Sequence, residues 1–144
     1  MINQFGTKEP GVEYKDRPGV YALILREDGL FCVTENAQGN YSLPGGGVDE
    51  GESDEQALRR ELQEEIVRDI ALLQFVGESK QYIRSVKNGD VNKYCKYFVV
   101  TLTPGIDGQG DVITHWCTLE QFKEKCIHDA HIWAVENFLL KQSR

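Results

Sequence analysis

The chain has 144 residues, 40% of them hydrophobic and 27% charged, with a formal net charge of −7 and a sequence pI near 5.0. That length makes one ordinary domain, 1–144, large enough to bury a core without disulfides or a structural metal. The acidic balance repels nucleic-acid backbones, which disfavours a long duplex as partner and leaves a small anion held by a local site.

Met1 to Asp16 is polar, punctuated by Pro10 and Gly11, and reads as an arm or a short edge strand. Val20 to Leu25 and Leu30 to Val33 are apolar runs separated by Arg26, Glu27, Asp28 and Gly29, whose Asp-Gly pair predicts two antiparallel strands in a hairpin. Asn36 to Asn40 is a polar loop, and Tyr41 to Leu43 leads through Pro44 into Gly45, Gly46 and Gly47. Consecutive glycines permit close backbone approach to a ligand, although without the carboxylates that follow they read better as an ordinary flexible turn. No Gly-Lys-Ser/Thr follows to make a P-loop.

Ser53 with Gln56 three residues on is a capping box, so a helix should start near Asp54 with Asp54 and Glu55 favourably placed in its first turn. Ala57, Leu58 and Leu62 form its apolar stripe, while Glu61, Glu64 and Glu65 stand at i, i+3 and i+4 and share one face. Like charges at that spacing repel, so stability does not explain the cluster. A solvated charged face is the plain alternative. Mg²⁺ takes oxygen ligands, keeps several waters, and is held by a few carboxylates together with substrate phosphates, which this face can supply.

Beyond that helix, Ile70 to Val76 and Tyr82 to Val86 read as strand segments, with a second hairpin turn at Lys87, Asn88, Gly89 and Asp90 before a strand from Tyr94 to Leu102. Pro104 to Gly110 is a glycine-rich loop, and Val112 to Cys117 is a short strand. Thr118 with Gln121 opens a short helix through about Lys125. Asp129 is placed to cap a last helix whose buried stripe is Ala130, Ala134, Val135, Phe138 and Leu139. Strand pairs, one central helix, further strands and terminal helices imply a mixed sheet covered on both faces, in the α/β (α+β) range.

The stretch around the central helix resembles the Nudix box, G-x5-E-x7-R-E-U-x-E-E-x-G-U with U a bulky aliphatic residue. Gly46, Glu52, Arg60, Glu61, Leu62, Glu64 and Glu65 agree with seven of its nine fixed positions, and Val67 and Arg68 depart from the last two. The Leu43, Pro44, Gly45 lead-in is also similar to the family. The resemblance implies a Nudix-like α/β/α sandwich with a mixed β-sheet. The missing box glycine predicts an altered helix exit, since valine tolerates left-handed backbone poorly.

The resemblance also implies site roles. Glu64 and Glu65 are then metal ligands, Glu61 is a ligand or the base acting on water, and the Gly45 carbonyl completes the inner shell. Arg60, Glu61 and Glu64 are the expected catalytic residues, with Arg60 orienting a glutamate by a charge-assisted hydrogen bond. Glu52 either binds a metal-coordinated water or braces the glycine loop. Many relatives take a further acidic ligand from the loop before the last strand, for which Asp111 is the candidate and Asp107 the reserve; turn formation is the alternative for each. His115, His128 and His131 have no ligand or nucleophile in local spacing and read as packing or surface residues.

Mg²⁺ or Mn²⁺ is the expected cofactor, and the expected reaction is hydrolysis of a pyrophosphate bond in a nucleoside diphosphate-linked compound by water attack. The substrate expected is a small nucleotide, a nucleoside triphosphate or an oxidised one. A Nudix-fold sensor that binds nucleotide without turnover is the alternative. Tyr21, Tyr41, Tyr82 and Phe98 are available to stack a base, though strand aromatics usually belong to the core.

Cys32, Cys95, Cys117 and Cys126 show no C-x-x-C pair and read as buried free thiols, as in a reducing compartment. With no basic-then-apolar start and no apolar run long enough to span a bilayer, a cytoplasmic protein off the membrane is expected. A homodimer is compatible with the sequence.

Overall fold

A computed structural model of the chain describes residues 2–84, 89–106 and 108–140. In chain order these form β1 (Asn3–Phe5), β2 (Lys15–Leu23), β3 (Phe31–Glu35), β4 (Tyr41–Ser42), β5 (Gly45–Gly47), α1 (Asp54–Glu65), β6 (Ile70–Ile83), β7 (Val91–Leu102), β8 (Ile113–Cys117), α2 (Leu119–Lys125) and α3 (Asp129–Ala134). The last helix continues as a π-helical segment, Val135–Leu140. A five-stranded sheet runs in the order β1-β6-β7-β2-β5, and a smaller sheet in the order β4-β3-β8. In the larger sheet β2 lies parallel to β7 and antiparallel to β5, so the sheet is mixed, as expected.

β2 sorts the core into two layers because its apolar run is continuous and successive side chains leave opposite faces. Val20, Ala22 and Ile24 pack with Ala57, Leu58, Leu62 and Ile66 of the α1 region. Tyr21 and Leu23 pack on the other face with Phe122, Ala134, Val135 and Leu139 from the terminal helices. Helices therefore cover both faces of the mixed sheet.

The turn at Arg26–Gly29 forms, with the Arg26 N–H donating to the Leu30 carbonyl at 2.8 Å and Gly29 at φ 86°. The hairpin predicted around it does not. A single bridge, Leu25 to Phe31, joins the two runs before β2 and β3 part into different sheets. β2 is buried on both faces and takes β7 and β5 on its two edges, which leaves β3 to pair with β4 and β8. The two segments expected after α1 are one strand, β6, bent by irregularities between Ile70 and Leu72 and between Phe75 and Gly77. At Gly77 a Cβ would stand 2.2 Å from the tip of the Phe138 ring, so the strand passes close against that side chain. Of the second predicted turn Gly89 has a left-handed φ of 77°; Lys87 and Asn88, and Val86 at the end of the predicted strand segment, lie outside the described residues. The N-terminal segment does supply an edge strand, β1, parallel to β6.

Both capping boxes are closed: Ser53 Oγ accepts from the Gln56 N–H at 3.1 Å, and Thr118 Oγ1 from the Gln121 N–H at 3.2 Å. Asp129 is not the cap of α3 but its first residue, and His128 occupies the cap position with no side-chain bond. The free Ala130 N–H at that end is taken by Gln81 Oε1 of β6 at 3.1 Å, which removes the need for a local cap. His131 joins the buried stripe.

All four cysteines are buried and none forms a disulfide. Alkylation of the unfolded protein without reductant is expected to add four labels by mass; fewer would reveal an oxidised pair. Among the described residues no helix is long and apolar enough to cross a membrane.

Candidate functional site

The three glycines expected as a turn form an edge strand instead, and their missing side chains set its distance from α1. A Cβ at Gly46 would lie 2.6 to 2.8 Å from the Glu61 carboxyl group. One at Gly45 would stand 2.0 Å from the Val20 carbonyl oxygen, at a φ of 138° that only glycine holds without strain. The backbone of β5 thus rests directly on the acidic face of α1. The Gly45 N–H donates to Glu65 Oε1 at 2.7 Å.

Arg60 gathers the carboxylates on that face. Its Nε and Nη2 grip the two Glu52 oxygens at 2.8 and 2.9 Å, and Nη2 also donates to the Gly47 carbonyl at 3.0 Å. Nη1 reaches Glu61 at 3.0 Å and Glu64 at 3.4 Å. The guanidinium therefore ties the glycine strand, the helix entry and the helix face together. Bonding to Arg60 and to the Asp49 N–H holds the Glu52 carboxyl at about 2. Glu61 moves the other way, because burial outweighs the Arg60 charge.

Glu65 is the carboxylate under greatest electrostatic load. Burial pushes its pKa up to about 8 against the Gly45 hydrogen bond, with Glu61, Glu64 and Asp111 repelling its charge. Desolvation with unneutralised like charges is the condition an added cation relieves.

Helix α1 leaves through Val67 at φ 57°, the left-handed conformation that a glycine would supply, so the exit is not altered as valine led us to expect. The bonds that fix it come from the later loop. The Gly108 N–H donates to the Ile66 carbonyl at 2.9 Å and the Asp111 N–H to the Glu64 carbonyl at 2.8 Å. At Gly110 a Cβ would lie 2.2 Å from the Glu64 carbonyl oxygen, and at Gly108 one would lie 2.7 Å from the Val67 Cβ. Two glycines of the loop thus fit a strained valine of the helix exit. Asp111 is brought to the end of the acidic face, while Asp107 lies outside the described residues. Arg68 donates to the Thr103 carbonyl at 2.9 Å.

The remaining candidates are packed. His131 lies against Tyr21 with ring centroids 4.5 Å apart, His115 bonds Glu35 at 2.7 Å and stacks on Tyr41, and His128, held at about 4 by burial, lines a cleft with Glu65. Tyr21, Tyr41 and Phe98 are buried, and Tyr82 packs on Tyr14. Two cations escaped the sequence reading: Arg17 and Lys93, which with Tyr21, Ser42 and the glycine strand line a cleft of about 340 Å³. Their distance apart in the chain leaves no local spacing signal; only the β2–β7 register unites them.

Among the described residues no three His, Cys, Asp or Glu side chains converge as a ready metal cage. Glu61 and Glu64 turn to Arg60, and Glu65 to the Gly45 N–H. The donor chemistry nevertheless fits a hard divalent cation: several carboxylates share one guanidinium, and the buried one carries uncompensated repulsion.

The sequence matches the NUDIX domain over residues 15–138. It is 35% identical over 69 residues to an RNA pyrophosphohydrolase of Photobacterium profundum, covering 47% of this chain and 40% of that one. A second RNA pyrophosphohydrolase, from Aeromonas hydrophila, is 31% identical over 100 residues, with 62% and 57% covered. The chain spans about half the length of these curated relatives. The fold is similar to a MutT NUDIX hydrolase from Burkholderia pseudomallei, at a TM-score of 0.70 and 21% identity over 86% of this chain and 98% of that one. The E. coli dihydroneopterin triphosphate pyrophosphohydrolase gives 0.75 and 18%, over 89% and 98%. With the domain match running from β2 through the π-helical segment and the acidic helix seated on its glycine strand, the chain belongs to the Nudix family.

Proposed function

We propose that the protein is a Mg²⁺- or Mn²⁺-dependent pyrophosphohydrolase of nucleoside diphosphate-linked compounds, with a nucleoside triphosphate or an oxidised one as substrate. The observation that carries this reading is Glu65: a carboxylate pushed up to about 8 among Glu61, Glu64 and Asp111, beneath a strand with no side chains. Glu64, Glu65, Asp111 and the Gly45 carbonyl are the groups to hold the cation. When bound, such a cation neutralises phosphate oxygens and acidifies a coordinated water. Glu61, whose proton affinity burial already raises, is placed to accept the proton of the attacking water. Arg60 acts by position, fixing Glu52, Glu61 and the Gly47 carbonyl relative to one another. No covalent intermediate is needed, since positioning and charge neutralisation suffice for phosphoryl transfer.

A screen of nucleoside triphosphates, oxidised nucleotides and sugar-linked diphosphates for phosphate or pyrophosphate release tests this reading. Two relatives are named for RNA, so a short 5′-triphosphorylated RNA belongs in the screen, although the net charge of −7 favours the small nucleotide. Turnover is expected with Mg²⁺ or Mn²⁺ and is expected to vanish in excess EDTA. Full turnover in the chelator refutes the metal site, and tight nucleotide binding without turnover favours the sensor.

A further inference from the structure

Arg17 and Lys93 are left without work by the site described above. They are register partners in the parallel β2–β7 pair, so their side chains leave the sheet on one face, the face of Tyr21 and Cys95 rather than that of α1. Among the described residues neither makes an ion pair. Lys93 Nζ stands 4.7 Å from the centre of the Tyr21 ring. A ring face holds an ammonium by its quadrupole without taking up the N–H donors, so all three remain for an oxygen-rich ligand.

Lys93 is also partly buried. Burial presses its pKa below the ordinary lysine value and the Arg17 charge adds to this, while Cys95, Glu61 and Glu65 pull the other way. A partly buried cation that meets a ring face but no carboxylate of the described residues within ion-pair distance adds little to the fold, which marks a site open to a ligand. The cleft it faces, about 340 Å³, opens on Gly45, Gly46 and Gly47. Because those residues carry no side chains, only backbone separates this cationic lip from the carboxylates of Glu61 and Glu65.

We propose that Arg17 and Lys93 form a phosphate subsite across β5 from the acidic face of α1, selecting substrates with a further phosphate beside the diphosphate: nucleoside 5′-triphosphates over sugar-linked nucleoside diphosphates. A polyphosphate lying along the bare strand meets carboxylates, with their cation, on one side and two positive charges on the other. Arg17 offers a planar fork to phosphate oxygens, and Lys93 a point charge. The substrate class rests on the pyrophosphohydrolase reading; the subsite does not.

The experiment measures binding of inorganic tripolyphosphate by calorimetry, which needs no turnover. Lys93→Gln and Arg17→Gln are each expected to weaken it about fivefold or more, Lys93→Arg to restore most of it, and the surface control Lys123→Gln to change nothing. In turnover, Lys93→Gln should lower the preference for GTP over ADP-ribose by a similar factor, through KM. Lys93→Gln should melt no lower than the parent; should it fail to fold, the exposed Arg17→Gln carries the test. Tripolyphosphate binding within about twofold of the parent in both variants overturns the subsite. Binding that depends on Lys93 in a protein that hydrolyses nothing refutes the hydrolase reading and leaves the subsite standing; hydrolysis with unchanged binding and unchanged preference does the reverse.

Discussion

Glu65→Gln is expected to abolish nucleotide turnover while leaving the fold intact and the metal-free protein more stable. Glutamine keeps the side-chain length and an oxygen to accept the Gly45 N–H, bonded at 2.7 Å in the parent. It removes the charge that Glu61, Glu64 and Asp111 repel. Turnover should fall by orders of magnitude, since each ~1.4 kcal/mol of lost transition-state stabilisation is tenfold in rate. The sign of the stability change follows from the direction of the shift. The Glu65 carboxyl is raised in the folded state from 4.5 to about 8, so the native protein binds more protons than the unfolded chain across that window. The stability this confers is complete below the lower value and is lost as pH rises toward the upper one, by a few kcal/mol. Melting temperature against pH should therefore decline across the window in the metal-free parent and flatten in Glu65→Gln. Glu55→Gln is the control: Glu55 pairs only with Arg59, at 3.2 Å on the exposed side of the same helix. Equal turnover in parent, Glu65→Gln and Glu55→Gln would remove the acidic face from the chemistry.

A contrasting pair of alanine substitutions separates the two ends of β5. At Gly45 the new Cβ meets the Val20 carbonyl oxygen at 2.0 Å and the Tyr21 backbone at 2.8 Å, at φ 138°. Backbone strain together with overpacking of this kind costs about 3–6 kcal/mol, a large share of an ordinary domain's stability. Gly45→Ala should accumulate poorly and melt far below the parent. At Gly47 the nearest atom is 3.9 Å away and φ is not left-handed, so Gly47→Ala should melt within a few degrees of the parent. Thermal melting of both proteins is the check; similar melting would show that β5 does not rest on β2 in this register.

What could be read beforehand was what lies close in sequence. The Ser53–Gln56 and Thr118–Gln121 boxes join residues three apart, and the Glu61, Glu64, Glu65 face follows from helical spacing, so all were visible before any tertiary contact was known. Sheet membership was not, because the turn at Asp28–Gly29 looks the same whether its flanks form a ladder or part after one bridge. The pairing of β2 with β7 decides it, and that depends on a contact between distant segments. The same contact brings Arg17 beside Lys93. Val67 misled for a related reason: its local preference opposes a left-handed exit, and the bonds from Gly108 and Asp111 override it from outside the helix.

That override has a kinetic side. The first turn of α1 is closed by its own residues through Ser53 and Gln56, but its last carbonyls wait for a loop that follows β6 and β7. The helix should therefore nucleate from its beginning and have its exit locked only after the long β6–β7 ladder has zipped. In a chevron analysis, mutations at Leu58 or Leu62 should slow folding, whereas Gly108→Ala or Gly110→Ala should chiefly speed unfolding. The end of the helix that carries Glu64 and Glu65 then becomes the last part of the molecule to be assembled and the first to be released.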